Sequence, residues 1–462
     1  MDKIWSAIKS HKNILILGFG REGQSTYTFI RHFDKERILT IADASEGVRE
    51  NSIFHGDKNV RFIAGKKYLE NLSGYDCIIK TPGISLPDAT LASLSKQLTS
   101  QAGLFLEAYR DQTIGVTGTK GKSTTASFIR HTFSESGKKS VLLGNIGVPP
   151  FDMLEKIAED TMIVFELSSH MLQTVSVSPH IALVLNIFPE HLDYYETMER
   201  YTASKAHIFQ YQNNDDILVM DTDPLLLEAV IKYGTRARRI TWETQLDSAH
   251  AYAPRVAASG DLVIKSVAGE IPFRTKLTKT SVNGEHVLRG LCLAGVAACY
   301  AGAEPAVVAG ALETFQGLSH RLENIGQWKG VTFINDSIST IPESALAGLK
   351  AFPSTNVLVI GGLDRGISYA KLIDTITHER ELSVLCIDET GERIYAELLP
   401  YQQEPKKYFL LSDLESAVKK SYEILPKGGT VLLSPAAASY TQFKNFEERG
   451  KAFAAYAKKY GI

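Results

Sequence analysis

The chain has 462 residues, of which 44% are hydrophobic and 22% charged, and its formal net charge is −2. This length exceeds one ordinary core, so we expect several globular domains, and the near-neutral charge without a long basic tract argues against a nucleic-acid partner. Because the amino-terminal residues lack a signal-peptide core and no apolar run could span a bilayer, we expect a cytoplasmic protein without membrane insertion.

The first predicted strand, Asn13 to Leu17, runs into a glycine-rich turn, Gly18 to Gly23. A helix predicted to end near Phe33 follows, and a second strand leads to Asp43. This spacing is typical of a Rossmann-like nucleotide-binding half. Taken alone, it would favour NAD with Asp43 on a ribose, but the glycine motif is a weak signal that also serves other diphosphates.

The most informative stretch is Ile114 to Thr125, with the sequence Ile-Gly-Val-Thr-Gly-Thr-Lys-Gly-Lys-Ser-Thr-Thr. An apolar run enters it and a helix-compatible run, Ala126 to Phe133, leaves it. Such glycines turn backbone N–H groups toward an anion, and the helix N-terminus adds a positive dipole end. Although Val116 replaces the first glycine of the strict pattern, the stretch predicts a phosphate cradle, with Lys122 as cation and Ser123 on a magnesium ion. A glycine-rich loop with a chance lysine is the disfavoured alternative.

Strand-then-loop units follow the cradle, which is the pattern of a parallel sheet. Since ligands of open α/β sheets bind at the carboxyl ends of strands, the loops should gather around the cradle. Glu166 and His191 should each follow a strand beside the cradle strand, where a carboxylate and a neutral imidazole can ligate Mg²⁺. The alternatives are a helix cap or exposed acid for Glu166 and a satisfied core histidine for His191. The predicted strands are Val141 to Leu143, Met162 to Phe165, and Ile181 to Leu185.

Two further features near these loops have less specific interpretations. Ser168, Ser169 and His170 lack a Gly-x-Ser-x-Gly elbow, so we reject a hydrolase cluster. Lys205 follows helix-forming residues, and from the sequence alone it would be a surface lysine.

The rest of the chain also alternates strands and helices, and we predict three α/β units in all. A connecting stretch near Gln101 to Asp111 should separate the first two units, and the third should begin near Gly317. Short β segments are expected around Val256 to Lys265 and Glu270 to Arg274. The other predicted strands are Asp76 to Lys80, Ile217 to Met220, Val331 to Ile334, Asn356 to Ile360, Ser383 to Ile387 and Thr430 to Leu433, and the predicted helices are Leu288 to Tyr300, Pro342 to Leu349 and Leu414 to Ile424.

The order of the motifs resembles that of the Mur ligase family over nearly the whole chain, and most closely that of its glutamate-adding members. The resemblance implies a Rossmann-like UDP-sugar-binding domain (1–104), a central P-loop ATP-binding domain (105–317) and an α/β glutamate-binding domain (318–462). The motifs are Gly118-Thr-Lys-Gly-Lys-Ser-Thr124, Gly144-Asn-Ile-Gly147, Glu166-Leu-Ser-Ser169, Glu190-His-Leu-Asp193, His320-Arg-Leu-Glu323 and the stretch Leu433 to Phe446.

The resemblance implies an ATP-dependent ligase of peptidoglycan synthesis that adds glutamate to UDP-N-acetylmuramoyl-L-alanine through an acyl phosphate. D-Glutamate is the default, and L-glutamate is the alternative. From other classes, an NAD-binding oxidoreductase would leave Lys122, Glu166 and His191 without a role, and their presence also argues against a non-catalytic nucleotide-binding protein. We expect a monomer.

The resemblance also implies the roles of individual residues, and it names Lys122, Glu166, His191 and Lys205 as catalytic. Two Mg²⁺ ions are expected, one on Ser123 and Glu166 and one on His191 and Lys205, whose counterpart in the family is carbamylated. The ATP site would comprise Gly118, Thr119, Lys120, Gly121, Lys122, Ser123, Thr124, Arg321 and Asp336. The UDP group would face Gly20, Arg21, Glu22, Asp43, Thr81, Pro82 and Gly83. The sugar or its lactyl-alanine arm would contact Asn145 and Ser168. The glutamate would contact Arg365, Ser439, Tyr440 and Phe446.

Two stretches depart from the family pattern. Ile338, within Asn335 to Ile341, replaces a lysine that meets the amino-acid substrate in the typical enzyme, and this variant pattern resembles a branch that adds L-glutamate. Because an apolar side chain cannot pair a carboxylate, we expect Arg365 to bind one carboxylate of glutamate instead. The stretch Glu285 to Gly290 lacks the asparagines that are usual near adenine. Hydrogen bonds to glutamate are expected from Ser339, Thr340 and the region of Ser439.

Overall fold

The computed structural model describes residues 1–246, 251–257, 262–266, 269–273, 285–315, 317–379, 382–402 and 405–462. The chain divides into two compact units, which are described separately. Unit 1 lies within Met1–Lys276 and His286–Glu313, and unit 2 within Leu277–Glu285 and Thr314–Ile462. Over the described ranges, no helix has both the length and the apolar character needed to cross a membrane.

The first sheet of unit 1 is parallel and five-stranded. Its strands are β1 (Ile14–Leu17), β2 (Leu39–Asp43), β3 (Val60–Ala64), β4 (Cys77–Lys80) and β5 (Leu98–Thr99), and its helices are α1 (Asp2–Ile8), α2 (Arg21–Phe33), α3 (Asp88–Ser93) and α4 (Gln101–Tyr109). The strand order is β3-β2-β1-β4-β5, so the chain reverses direction across the sheet between β1 and β4. A crevice at the carboxyl ends of these two strands is the expected ligand site of such a sheet.

The glycine-rich turn after β1 packs as the sequence predicts. A Cβ atom at Gly23 would lie 2.2 Å from the carbonyl oxygen of Gly18, so only glycine lets α2 approach the strand this closely. The predicted connecting stretch at Gln101 to Asp111 does join the two parallel sheets of unit 1, and α4 occupies most of it. Its role as a domain boundary stays a prediction. The Ser100 cap of α4 accepts a hydrogen bond from the Gly103 N–H at 3.1 Å. The residues from Gln101 to Leu106 are all buried, which removes the amphipathic periodicity that identifies a helix from sequence.

The second sheet of unit 1 is parallel and six-stranded. Its strands are β6 (Thr113–Thr117), β7 (Ser140–Gly144), β8 (Met162–Glu166), β9 (Ile181–Val184), β10 (Ile217–Met220) and β11 (Arg238–Ile240), and its helices are α5 (Lys122–Glu135), α6 (Ser169–Leu172), α7 (Leu192–Tyr195), α8 (Met198–Gln210) and α9 (Pro224–Tyr233). The order β11-β10-β9-β6-β8-β7 places the cradle strand β6 between β9 and β8. This confirms that Glu166 and His191 follow strands that neighbour the cradle strand.

Unit 1 also contains a small antiparallel sheet and two helices. The sheet comprises β12 (Tyr252–Val256), β13 (Leu262–Ser266) and β14 (Gly269–Phe273), and the helices are α10 (Glu285–Tyr300) and α11 (Pro305–Thr314). The predicted short β segments are confirmed where the structure describes them, while residues 258–261 and Arg274 lie outside the described residues. Cys292 and Cys299 are buried in α10 without a disulfide, as core residues.

Unit 2 is the predicted third α/β unit. Its strands are β15 (Glu323–Trp328), β16 (Val331–Asn335), β17 (Val357–Gly361), β18 (Ser383–Ile387), β19 (Tyr408–Leu411) and β20 (Gly429–Leu433), and its helices are α12 (Pro342–Ala351), α13 (Ala370–Asp374), α14 (Asp388–Leu398), α15 (Leu414–Ile424) and α16 (Phe446–Gly461). The order is β15-β16-β20-β17-β18-β19. Only the edge pair β15–β16 is antiparallel, so the loops after β16, β17 and β20 emerge at one edge.

Candidate functional site

The cradle is a tight turn between β6 and α5. Gly121 caps α5 with φ +88°, a left-handed conformation that favours glycine. A Cβ atom at Gly118 would lie 3.0 Å from the Cβ of Leu185, so the turn packs directly against the loop after β9. The N-terminus of α5 therefore opens at the carboxyl edge of the sheet, where its N–H groups and dipole favour an anion.

Asn186 fixes the shape of the cradle, although the sequence did not predict a role for it. Its side-chain oxygen accepts the Lys120 N–H at 2.9 Å, and its amide donates to the Lys120 carbonyl at 3.2 Å. Its own carbonyl accepts the Thr119 N–H at 2.9 Å. The Lys120 ammonium pairs with Glu190 at 2.6 Å. The loop after β9 thus holds the cradle backbone through both main-chain and side-chain hydrogen bonds.

Two lysines donate to one carbonyl oxygen of the cradle. The Lys122 ammonium lies 3.0 Å from the Gly118 oxygen and 2.9 Å from that of Thr119, and the Lys205 ammonium lies 3.0 Å from the same Gly118 oxygen. Two ammonium groups that share this acceptor repel each other when both are charged. The arrangement therefore favours an anion at the cradle.

Lys205 is 1% exposed, so the surface-lysine interpretation is wrong. Its side chain enters the cradle from α8, and the ammonium lies 4.8 Å from the ring centre of Tyr201. Burial, and then the positive charge of Lys122, lower its pKa well below the usual value, while Glu190 opposes the shift. The shift makes the unprotonated amine, which is a nucleophile, more accessible here than at an exposed lysine.

Glu166, at the end of β8, is fully buried. Its Oε1 accepts the Asn145 side-chain amide at 2.8 Å, and its Oε2 has no hydrogen-bond partner among the residues that the structure describes. Ser168, not Glu166, caps the following helix by accepting the Met171 N–H at 3.2 Å, so neither the cap nor the exposed-acid alternative holds. A buried carboxylate oxygen without a partner is costly. The position therefore suits a cation such as Mg²⁺, which prefers oxygen ligands.

Asn145 positions that carboxylate through the turn after β7. Its backbone N–H donates to the Glu166 carbonyl at 3.0 Å. A Cβ atom at Gly144 would lie 2.3 Å from the same carbonyl oxygen, so the close approach of the two strands requires glycine there. Asn145 therefore holds Glu166 in place, and its contact with the sugar stays a prediction.

His191 lies at the start of α7 with a left-handed backbone, φ 56°. Within the described ranges its ring makes no hydrogen bond, so it is not a satisfied core histidine. Its ring packs against those of His170, at 5.0 Å between centres, and Tyr201, at 6.3 Å. A neutral imidazole with free nitrogens at this edge can ligate a metal. Groups of three or more His, Cys, Asp or Glu with metal-site geometry do not occur among the described residues, so any metal here also needs ligands from elsewhere.

His170 lies in an aromatic cluster beside His191. Its ring centre is 4.4 Å from that of Tyr194 and 5.4 Å from that of Tyr195. Burial, followed by the charges of His191, Lys80 and Lys205, lowers its pKa to about 4, so it is neutral near pH 7. Its partners are aromatic rings, which agrees with the rejection of a hydrolase cluster.

The residues predicted to face the UDP group lie around the crevice of the first sheet. Gly20 caps α2, and Thr81 bonds to the Leu17 carbonyl through its N–H at 2.9 Å and its hydroxyl at 3.1 Å. The Asp43 carboxylate accepts the N–H groups of Phe19 at 2.7 Å and Ser45 at 2.8 Å. Asp43 therefore holds the glycine turn, and its contact with UDP stays a prediction.

The two parallel sheets of unit 1 meet near this crevice. The Ser25 hydroxyl, on α2, donates to Asp152 at 2.6 Å, and the Tyr194 hydroxyl donates to the Ile84 carbonyl at 2.9 Å. A Cβ atom at Gly147 would lie 3.6 Å from an Arg21 guanidinium nitrogen. Unit 1 thus brings the crevice and the cradle loops into one continuous region.

In unit 2, Asp336 is buried at the end of β16. Its carboxylate accepts the Ser434 hydroxyl at 2.8 Å, the Leu322 N–H at 3.2 Å and the Ser339 hydroxyl. Burial raises its pKa to about 6, and the nearby charge of Arg321 opposes this shift. Arg321 and Asp336 are therefore neighbours, but their contact with nucleotide stays a prediction.

The residues expected to bind glutamate lie at the same edge of unit 2. Arg365, which is exposed, donates to the Thr340 carbonyl at 2.5 Å, so it lies beside the loop that carries Ile338. Ser439 is buried and Tyr440 is exposed. The Phe446 carbonyl accepts the Ser337 hydroxyl at 2.8 Å. The structure therefore brings an arginine to the loop that lacks the usual lysine.

Arg449, which the sequence interpretation missed, is 1% exposed and ties three loops together. Its guanidinium donates to the Ser337 hydroxyl at 3.0 Å, and to the carbonyls of Ser337 at 2.8 Å, Ala437 at 3.0 Å and Gly361 at 3.5 Å. These loops follow β16, β20 and β17. Burial lowers its pKa to about 10. The available signal was an arginine on the buried face that α16 forms with Gly450, Phe453 and Ala457.

Comparison with known proteins identifies relatives along nearly the whole chain. Residues 116–298 match the Mur ligase middle domain, and residues 320–437 match the Mur ligase glutamate ligase domain. The chain is 32% identical over 461 residues to a UDP-N-acetylmuramoylalanine--D-glutamate ligase from Acetivibrio thermocellus, with 96% of this chain and 95% of that protein covered. It is 33% identical over 455 residues to the protein of that name from Symbiobacterium thermophilum, with 97% and 98% covered.

Solved structures support the same fold. A MurF structure from Acinetobacter baumannii aligns with a TM-score of 0.56 at 16% identity, covering 80% of this chain and 81% of that one. A MurF ligase from Thermotoga maritima in complex with ADP aligns with a TM-score of 0.54 at 16% identity, covering 98% and 96%. At such low identity these likenesses concern the fold alone.

We predict that Arg449→Met destabilises unit 2 by about 3 kcal/mol or more, because several hydrogen bonds from one charged group are lost and their carbonyls stay buried. Arg449→Lys should recover only part of the loss, since an ammonium cannot reproduce the guanidinium fork. Urea unfolding followed by tryptophan fluorescence and circular dichroism measures the change. Lys451→Met, at an exposed position on the same helix, is the control, and equal midpoints for the two methionine variants would contradict the prediction.

Proposed function

The chain belongs to the Mur ligase family, and from this we propose that it is an ATP-dependent ligase that joins glutamate to UDP-N-acetylmuramoyl-L-alanine in peptidoglycan synthesis. The names of its relatives make D-glutamate the default substrate. The observation that carries the proposal is the pair of lysines on the Gly118 carbonyl, beside a buried Glu166 oxygen without a partner. An NAD-dependent oxidoreductase would leave these groups without a role. We propose a monomer in the cytoplasm, where nucleotide-linked substrates and ATP are made.

The cradle would hold the triphosphate of ATP. The N–H groups at the start of α5 face the phosphates, and the Lys122 ammonium exchanges its carbonyl acceptors for phosphate oxygens. The substrate carboxylate then attacks the γ-phosphorus and ADP leaves, which gives an acyl phosphate. The amine of glutamate attacks the acyl carbon, phosphate leaves and the amide bond forms. Lys122 stabilises the charge of the phosphate during both its transfer and its departure.

Magnesium fits the donor set that the chain presents. One ion would be held by the unpartnered Glu166 oxygen and the Ser123 hydroxyl, and the other by the His191 ring and a modified Lys205. When bound, the ions would neutralise phosphate charge. Asn145 orients Glu166 for this role by holding its other oxygen. The aromatic rings around His191 restrict the orientation of its imidazole.

We also propose that Lys205 is carbamylated. Its buried amine, whose deprotonation is favoured by the lowered pKa, attacks the carbon of CO₂ in its unprotonated form, forms an N–C bond and loses a proton. The product is an anion, which removes the repulsion from Lys122 and supplies the oxygen atoms that a magnesium site needs. This role explains why a lysine is buried next to another cation.

The direct test measures phosphate release with ATP, UDP-N-acetylmuramoyl-L-alanine and either enantiomer of glutamate. We expect release that depends on all three substrates, and the preferred enantiomer assigns the amino-acid specificity. Lys122→Ala should reduce turnover about 100-fold or more, because charge neutralisation at the transferring phosphate is lost. Phosphate release that is independent of glutamate, or unchanged in Lys122→Ala, would refute the proposed reaction.

Removal of the Lys205 side chain should abolish turnover, and a small carboxylate such as acetate should restore part of it by supplying the missing oxygens. Wild-type enzyme depleted of CO₂ should regain activity when bicarbonate is added, and ¹³C-labelled bicarbonate should give a carbamate signal in NMR spectra. Lys232→Ala, at an exposed lysine on α9, should behave as wild type. A wild-type enzyme that is fully active without any carbamate signal would disprove the modification.

Arg365→Ala should raise the KM for glutamate steeply and change the KM for ATP little, since the substrate would lose a charge-assisted carboxylate contact. Its position beside the loop of Ile338 motivates this expectation. Lys371→Ala, at an exposed position nearby in sequence, is the matched control. Unaltered glutamate kinetics in Arg365→Ala would mean that another group binds the carboxylates.

A further inference from the structure

Lys80, the last residue of β4, is 1% exposed, and no role has yet been given to it. Its ammonium makes one hydrogen bond, to the Thr81 carbonyl at 3.3 Å. No carboxylate oxygen among the described residues lies within ion-pair distance, 4.0 Å, of this nitrogen. Burial of a charge without an ion-pair partner is costly. This ammonium therefore favours a counter-ion supplied by a ligand.

Two titratable side chains face Lys80 from different elements. Glu22 approaches from the first turn of α2, and His170 from the short helix α6. Burial lowers the pKa of Lys80 to about 8 and raises that of Glu22 to about 7, and each opposes the shift of the other. Glu22 therefore helps to keep Lys80 charged but does not form an ion pair with it.

The position of Lys80 is that of an anion site. It pairs in register with Leu17 of β1, so it lies at the crevice where the strand order reverses. The 13-residue helix α2 starts at the same crevice, and its Gly20 cap provides no side chain to bond the first N–H groups. A helix N-terminus with free N–H groups and a buried ammonium both favour negative charge.

We propose that Lys80 binds the diphosphate of the UDP-sugar substrate at the floor of this crevice, together with the N-terminus of α2. The inference rests on the proposed function, which supplies a diphosphate ligand. The ammonium acts as a point charge between the phosphates, while the helix N–H groups give directional hydrogen bonds. His170 and the cluster around His191 border the same region, so a diphosphate held here directs the sugar toward the cradle loops.

The test compares Lys80→Met and Lys80→Arg with wild type by calorimetric titration of UDP-N-acetylmuramoyl-L-alanine, with UDP and UMP as competitors. Lys80→Met should weaken the substrate and UDP about 10- to 100-fold, the range of one charge-assisted contact, and should reduce the preference for UDP over UMP. Lys80→Arg should retain most of the affinity. Lys96→Gln, at an exposed lysine between α3 and β5, is the control.

Titration with ADP reports whether the variants are folded, since its site lies on the other sheet. Normal ADP binding together with an unchanged UDP-to-UMP preference in Lys80→Met would overturn the role of Lys80 but leave the proposed function intact. Failure of the wild type to bind UDP-N-acetylmuramoyl-L-alanine would refute both. If Lys80→Met does not fold, the decision falls to Lys80→Gln, in which a reduced UDP-to-UMP preference supports the inference and an unchanged preference contradicts it. In steady-state kinetics, a raised KM for the UDP-sugar with little change in kcat is expected.

Discussion

The convergence of two lysines on the Gly118 carbonyl is the constraint on which the central site depends. The left-handed cap at Gly121 turns the chain into α5 and so brings Lys122 back over the cradle, while α8 delivers Lys205 from the opposite side. When both ammonium groups are charged they repel each other, so the site favours an anion. Lys205 is 1% exposed, so the fold holds its amine next to Lys122 away from solvent.

Side-chain amides provide much of that rigidity. Asn186 reproduces a backbone pairing between the cradle and the loop after β9, and Asn145 holds one oxygen of Glu166 while leaving the other free. A side-chain amide can donate and accept hydrogen bonds at the same time. It can therefore pair the backbone groups of a loop without adding a charge to a site that already contains several. These residues explain how loops with little secondary structure keep the cradle and the carboxylate in place.

Helices and strands were predictable from the sequence where their hydrophobic residues followed one clear pattern. The buried strands around β6 appear as short apolar runs, and the glycines of both nucleotide turns mark strand-to-helix switches, so the sheets and the cradle could be located. The helix α4 could not, because its residues from Gln101 to Leu106 are all buried and show no amphipathic periodicity. Lys205 was misjudged for a related reason. A helix of mixed polar residues normally exposes its lysines, and only the tertiary packing of α8 against the cradle buries this one.

Buried cations recur outside the cradle, and they divide into two kinds. Arg449 has its hydrogen-bonding groups occupied by four acceptors of the protein, so its charge is spread over fixed loops and its role is to hold them. Lys80 has one long hydrogen bond, and Lys205 shares its acceptor with another cation. Arginine suits the first kind because its planar fork matches several carbonyls at once, whereas lysine suits the second because a desolvated ammonium can lose its proton or take a new partner. The number of acceptors around each buried cation therefore distinguishes Arg449, which holds loops of the protein, from Lys80 and Lys205, for which we propose a ligand and a modification.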